Sequence, residues 1–161
     1  MAKRSAGVLV WQRERRGVRV LLVHPGGPFW AKKDAGAWSI PKGEFGEGEE
    51  ALAVARRELV EELGHAAQRL AAAHDNAFVP LGEVKQKGGK VVSGFALEAD
   101  FDVTQLASNS FELEWPPRSG RKRVFPEVDR AGWFGLDEAR VKILVSQLPF
   151  VSRIAELTAA S

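Results

Sequence analysis

Three glutamates, Glu58, Glu61 and Glu62, stand in the run RRELVEELGH at spacings of three and four residues. In an α-helix those spacings bring the side chains onto one face, an arc of roughly 100° beside the apolar stripe. Like charges so placed cost about 0.2–0.5 kcal/mol per pair in an isolated helix, and in its C-terminal half they also oppose the macrodipole. A solvated acidic face balanced by Arg56 and Arg57 is the ordinary reading of a Glu-rich helix. Two features argue otherwise. The acids occupy the end where a helix prefers cations, which calls for an external positive charge. The glycine-rich stretch GEFGEG leads directly into them, which permits close approach of backbone to a ligand. Hard oxygen donors clustered in this way suit Mg²⁺ or Mn²⁺, which accept a few carboxylates and keep waters for a phosphate substrate.

The elements that must position these acids can be read from periodicity. From Glu49 to Leu63, the residues Leu52, Ala55, Leu59 and Leu63 recur at helical spacing, and Gly64 stands where a glycine should end the helix. Before it, AGVLVWQ and GVRVLLVH are aliphatic runs separated by RERRG, which predicts a hairpin. Between hairpin and helix, PGGPFWAKKDAGAWSIPKGEFGEG predicts a long loop with a short strand at AWSI. After the helix, AFVPLGEVKQ, KVVSGFALEADF and FELEWP read as strands, the first two joined by the turn KGGK. RAGWFGLDEARVKIL passes from strand to helix, and SQLPFVSRIAELTAA makes a C-terminal helix with Pro149 in its first turn. Strands on both sides of one helix, with helices again at the end, give an α/β class with a mixed central sheet.

Composition narrows the partners. A chain of 161 residues with no long linker fits one domain, residues 1–161, able to bury a core. The formal net charge is only +2, which argues against a wholesale nucleic-acid binder. The absence of cysteine removes disulfides, thiolate nucleophiles and Cys-based zinc sites and suits a reducing cytoplasm. The N-terminal apolar run, Ala6 to Trp11, is too short for a signal sequence or a membrane span. The expectation is a soluble cytoplasmic protein with a small-molecule partner, no nucleic acid and no membrane; oligomeric state is not visible.

The segment from Gly43 to His65 resembles the signature of the Nudix hydrolase family. Gly43 is followed after five residues by Glu49, and after seven more by Arg57, Glu58, Leu59, Val60, Glu61, Glu62, Leu63 and Gly64. His65 departs from the aliphatic residue of the pattern, a position that concerns packing after the helix. The resemblance implies an α/β/α sandwich around a mixed sheet. It implies Mg²⁺- or Mn²⁺-dependent hydrolysis of a P–O–P linkage, with Glu58, Glu61 and Glu62 as metal ligands and the Lys42 carbonyl as a further one. Glu49 and Arg57 would hold loop and helix together by pairing. In the diadenosine polyphosphate hydrolase branch a glutamate commonly lies six residues before a tryptophan in a similar strand-to-helix segment. Glu127 has that spacing to Trp133, which makes it an extra ligand or base. Glu58, Glu61 and Glu127 are thus the catalytic candidates. Pro-Lys-Gly at the signature glycine recurs in members acting on dinucleoside polyphosphates and diphosphoinositol polyphosphates, so Lys42 is also a candidate phosphate contact.

Lys85 and Lys87, read as lying on a strand near the helix, are further phosphate candidates, whereas Arg118 and the run Arg121, Lys122, Arg123 read as a solvated loop. Base recognition has no tyrosine to draw on. Trp30, Trp38, Phe45 or Trp115 could stack a base, while Trp133 and Phe134 read as core. His24, His65 and His74 form no ligand spacing. Pro80, fifteen residues beyond His65, matches a spacing associated with ADP-ribose pyrophosphatases. The readings carried forward are a Nudix-type pyrophosphohydrolase acting on a dinucleoside polyphosphate or an NTP, with ADP-ribose or a diphosphoinositol polyphosphate as alternative substrates. A non-catalytic nucleotide-sensing module is the reading of another class. Because such modules usually lose signature acids, the three retained glutamates favour the enzyme.

Overall fold

The computed structural model describes residues 3–159, so Met1, Ala2, Ala160 and Ser161 of the expected 1–161 domain lie outside the described residues. The first two strands, β1 (Arg4–Glu14) and β2 (Gly17–Pro25), form the predicted hairpin. Strand β3 (Lys42–Glu44) pairs with the start of β1, Lys42 opposite Gly7 and Glu44 opposite Ser5. Helix α1 (Ala51–Leu63) and the short α2 (Gln68–Ala71) follow, then β4 (Phe78–Lys85) and β5 (Val91–Glu98). A separate two-stranded sheet consists of β6 (Ser110–Glu114) and β7 (Lys122–Pro126). The described chain closes with β8 (Val128–Gly135), α3 (Leu136–Lys142) and α4 (Leu148–Ala159).

The main sheet runs β4-β5-β1-β2-β8, with β3 pairing on β1. Only β1 and β5 run parallel among the registered pairs, so the sheet is mixed, as expected. Strand β1 lies at its centre and alternates between two cores, as the period of two requires. Ala6, Val8 and Val10 pack with Val54, Ala55, Leu59 and Leu63 of α1 on one side. Leu9 and Trp11 pack with Ala139, Ile143, Phe150, Val151 and Ile154 from the α3–α4 layer on the other. Three layers, helix on sheet on helix, result.

Four local readings change. AWSI forms no strand; Trp38 and Ser39 make isolated bridges to Ile143 and Val23, because the strand register resumes only at Lys42. Helix α1 begins at Ala51 rather than Glu49, since the Glu49 carboxylate turns back to accept the Gly46 N–H. The run Arg121–Arg123, read as loop, enters β7 at Lys122, where cross-strand pairing to β6 overrides its charge. Lys87 stands in the β4–β5 turn and not on a strand.

Candidate metal and phosphate site

The loop before α1 and the helix itself are fastened by one ion-pair network. Arg57 donates to the Glu49 carboxylate, and its second amino group reaches the Glu44 carbonyl at 3.3 Å. Glu49 raises the proton affinity of Arg57 further, so this guanidinium is a fixed cation. It also lies 3.7 Å from Glu58 and 3.8 Å from Glu61. Glu58 is 7% exposed and its carboxyl group lies against the backbone of β3. A Cβ at Gly43 would sit 2.0 Å from the Glu58 Cδ, so no larger residue fits there. The glycine of the signature is therefore a space requirement of the first glutamate.

The C-terminal end of α1 is held by the chain that leads to β6. Gly64 ends the helix with φ 100 and returns its N–H to the Val60 carbonyl at 2.7 Å. The carbonyls of Glu61 and Leu63 accept the N–H groups of Asn109 (2.8 Å) and Ala107 (3.0 Å), which satisfies acceptors a helix end leaves open. The Asn109 carbonyl in turn accepts the Glu127 N–H at 2.8 Å. One residue thus relays α1 to Glu127, which occupies the single position between β7 and β8.

Electrostatics link the four carboxylates to one another. Burial, then the Glu61 charge, pushes Glu58 up to about 7, with Glu127 adding to the shift. Burial pushes Glu62 up to about 8, against the opposing Lys42 backbone N–H, which donates to its Oε1 at 3.3 Å; Glu58 and Glu127 add to the rise. Glu127 is itself raised by burial and by Glu61. Crowded carboxylates with proton affinities raised in this way are short of positive charge. Among the described residues no three His, Asp or Glu side chains converge closely enough to enclose an ion.

Beside Glu62 a cavity of about 210 Å³ opens, lined by Lys42, Ser39, Trp30 and an apolar floor that includes Val23, Val128 and Leu144. Lys42 lines this cavity; burial lowers its pKa, and Glu62 opposes the shift. Lys85 and Lys87 are exposed on the β4–β5 hairpin and do not line it. Lys90, from the same turn, lies 3.9 Å from Glu44 and its charge reaches Lys42. Of the aromatic candidates, Trp30 lines the cavity, Trp38 is core, Phe45 packs against the α1 core, and Trp115 stacks edge-on with Phe29. Trp133 and Phe134 pack against opposite cores.

Two buried polar residues that periodicity does not reveal hold this wall. Gln147 is fully buried; its Oε1 accepts the Ile40 N–H at 3.0 Å and its Nε2 donates to Ser39 Oγ at 3.0 Å. His24, also fully buried, joins Asp129 of β8 through Nδ1 at 2.7 Å and the Lys33 carbonyl through Nε2 at 2.6 Å. Apart from Lys33, their partners lie more than a hundred residues away in sequence, so no local pattern marks them.

The NUDIX domain family matches residues 1–154. Among solved structures, the binary complex of a C. elegans Ap4A hydrolase is 18% identical, with TM-score 0.63, over 98% of this chain and 99% of that one. The NUDIX domain of Shewanella oneidensis NrtR complexed with ADP ribose is 16% identical, TM-score 0.62, over 98% and 88%. A MutT/nudix family protein from Listeria innocua is 17% identical, TM-score 0.62, over 98% and 94%. No curated protein matches. At these identities the neighbours establish the fold.

Proposed function

Because the chain belongs to the NUDIX domain family, we propose that it is a divalent-metal-dependent pyrophosphohydrolase. Its substrate in this reading is a nucleoside polyphosphate, either a dinucleoside polyphosphate or an NTP. The observation that carries the reading is the meeting of Glu58, Glu61 and Glu62 on one helix face with Glu127 from a different part of the chain. Mg²⁺ or Mn²⁺ fits that set of hard oxygen donors, with the Lys42 carbonyl as a further ligand. When bound, the metal supplies neutralisation of the charge that develops on the transferring phosphoryl group and acidification of a water.

The chain's own groups divide the remaining work. Glu58, buried and wedged against Gly43, sets the position of the site. Glu58, Glu61 and Glu127 are the groups placed to take the proton of the attacking water. The Lys42 ammonium, beside Glu62 at the cavity, meets substrate phosphate. Lys85 and Lys87 stand outside the cavity and contribute at most a remote attraction for the polyphosphate. Arg57 is taken up by Glu49 and the Glu44 carbonyl and serves to orient the acids. Trp30 offers the cavity a face on which a base can stack. Among the described residues no helix is long and apolar enough to cross a membrane, and the cytoplasm is the compartment this reading assigns.

The test is Mg²⁺-dependent product release from a panel of ATP, diadenosine tetraphosphate, ADP-ribose and diphosphoinositol phosphate. Turnover on a nucleoside polyphosphate that Glu61→Gln lowers by about 10²-fold or more, with an unchanged circular dichroism spectrum, is the expected result. Inactivity on the whole panel would leave the nucleotide-sensing reading in its place. Wild-type rates in Glu61→Gln would sink the metal-site assignment.

A further inference from the structure

The β6–β7 arm is not absorbed by the reading above. It belongs to a sheet of its own, and none of its residues enters either core. Isolated two-stranded ribbons are marginal, and this one is braced by its neighbours. Ser108 Oγ accepts the Val128 N–H at 3.1 Å just before the arm begins, and Gly26 donates to the Glu127 carbonyl at 2.9 Å at its base. From there the loop runs along the arm toward its tip, where Phe29 meets Trp115 edge to face at 5.4 Å. The next residue, Trp30, lines the cavity beside Glu62.

The register sorts the arm into two unlike faces. Glu112 lies opposite Val124 and Glu114 opposite Lys122, and Lys122 also reaches Glu112 at 3.5 Å, so the acids share one face with a paired lysine. Phe111 lies opposite Phe125 and Leu113 opposite Arg123 on the other. Trp115 extends that face through its N–H to the Arg121 carbonyl at 2.9 Å. The second face therefore combines Phe111, Phe125, Trp115, Arg121 and Arg123 without a carboxylate. Arg123 lies over the Phe125 ring, and Phe29, at the edge of this surface, is 61% exposed.

We propose that this arginine–aromatic face is a distal site for the second nucleoside of a dinucleoside polyphosphate whose scissile linkage lies at Glu58, Glu61, Glu62 and Glu127. The proposal rests on the pyrophosphohydrolase reading. Three arguments select the occupant. The arginines complement phosphate, and the half-buried Trp115 ring beside them offers a π-face to a base. Strand β7 (Lys122–Pro126) ends just before Glu127 and rises about 3.3 Å per residue, which sets Lys122 roughly 15 Å from Glu127 along the strand. A ligand that bridges cleft and arm must therefore carry groups at both ends of its phosphate chain. Phe111 ends against Gly27 and Arg123 lies over the Phe125 ring, which leaves Trp115, with Phe29 at its edge, as the one aromatic station; that suits one nucleoside, whereas a nucleic acid strand calls for successive stations along a basic groove.

The test compares diadenosine tetraphosphate with ATP in the wild type, in Arg121→Gln/Arg123→Gln, whose altered side chains are exposed, and in Trp115→Leu. Equilibrium binding is measured in a Glu61→Gln background with Mg²⁺, and turnover in the parent chain. Both arm variants should weaken diadenosine tetraphosphate about tenfold, the scale of one lost stacking or charged contact, and ATP less than about twofold. Equal losses for the two ligands, or none for either, overturn the proposal. Tighter, arm-dependent binding of a 5′-triphosphorylated RNA oligonucleotide also overturns it. Turnover without arm dependence would remove the distal site and leave the pyrophosphohydrolase standing. Arm-dependent binding without any turnover would keep the site and remove the enzyme.

Discussion

The carboxyl group of Glu58 fills the space that a side chain at position 43 would need, and this explains two residues at once. Gly43 has no Cβ because that carboxyl group occupies the space, and Glu58 is buried because the backbone of β3 covers it. Gly43→Ala should therefore displace Glu58 without disturbing either core. We expect apparent Mg²⁺ affinity and kcat to fall together, by about tenfold or more each, the scale seen when the support of a metal ligand is lost. Metal titration of the rate measures this, and a variant with normal Mg²⁺ dependence would show that the crowding is harmless. Glu127→Gln is expected to cost less than Glu61→Gln, because Glu127 reaches the cluster from the side and is only partly buried. If rate and metal dependence are both unchanged in Glu127→Gln, that residue leaves the site. The helix face of Glu58, Glu61 and Glu62 was legible in the sequence because helical spacing is a local rule. The reason for Gly43 was not, since it depends on a side chain fifteen residues later.

At the scale of elements, α1 is held at both ends by segments far away in sequence. Glu49 and Arg57 tie its start to the loop, while Ala107 and Asn109 receive its last carbonyls. The Arg57–Glu49 pair is partly exposed, and pairs of that kind contribute about 0–1 kcal/mol. Its work is orientation of the acids. Gln147 is a different case, because it is buried and Ile40 is fully buried too. Gln147→Leu would strand the Ile40 N–H without an acceptor, at a cost of about 1–3 kcal/mol. Thermal or urea unfolding should show that loss. Because Ser39 and Lys42 follow the same segment, KM should rise more than kcat falls. An unchanged unfolding midpoint would mean that water or a shifted backbone replaces the amide. The first hairpin, α1 and the β8–α3 passage were readable from periodicity and turn residues. Strand β7 was not, because Arg121, Lys122 and Arg123 read as solvated charge until β6 supplies a pairing partner.

Across the whole molecule, the raised carboxylates link stability to pH and to metal. Glu58 and Glu62 ionise in the unfolded chain near their ordinary value of 4.5, whereas the fold holds their protons to about 7 and about 8. Below 4.5 both states are protonated and the groups are neutral to stability. As pH rises toward 8 the unfolded chain binds fewer protons than the folded one, so stability falls. Metal-free protein should unfold at lower temperature at about pH 9 than at about pH 6, and Mg²⁺ at about 100 times its Kd should restore on the order of 2.7 kcal/mol at the higher pH. Calorimetry in EDTA and in Mg²⁺ decides this; stability that climbs with pH in EDTA would refute the charge shortage on which the metal reading stands. By itself the sequence determined that three acids share a helix face after a glycine-rich loop, in an α/β chain without cysteine, since those are matters of spacing and composition. The resemblance names Glu127 from its spacing to Trp133, but only the tertiary structure decided that it comes within electrostatic reach of those acids, that Lys42 and Trp30 line the adjoining cavity while Lys85 and Lys87 stand apart, and that Phe29 meets Trp115 on an acid-free face. Each of these is a meeting of distant segments fixed by sheet order, strand register and backbone hydrogen bonds, and no local period encodes it.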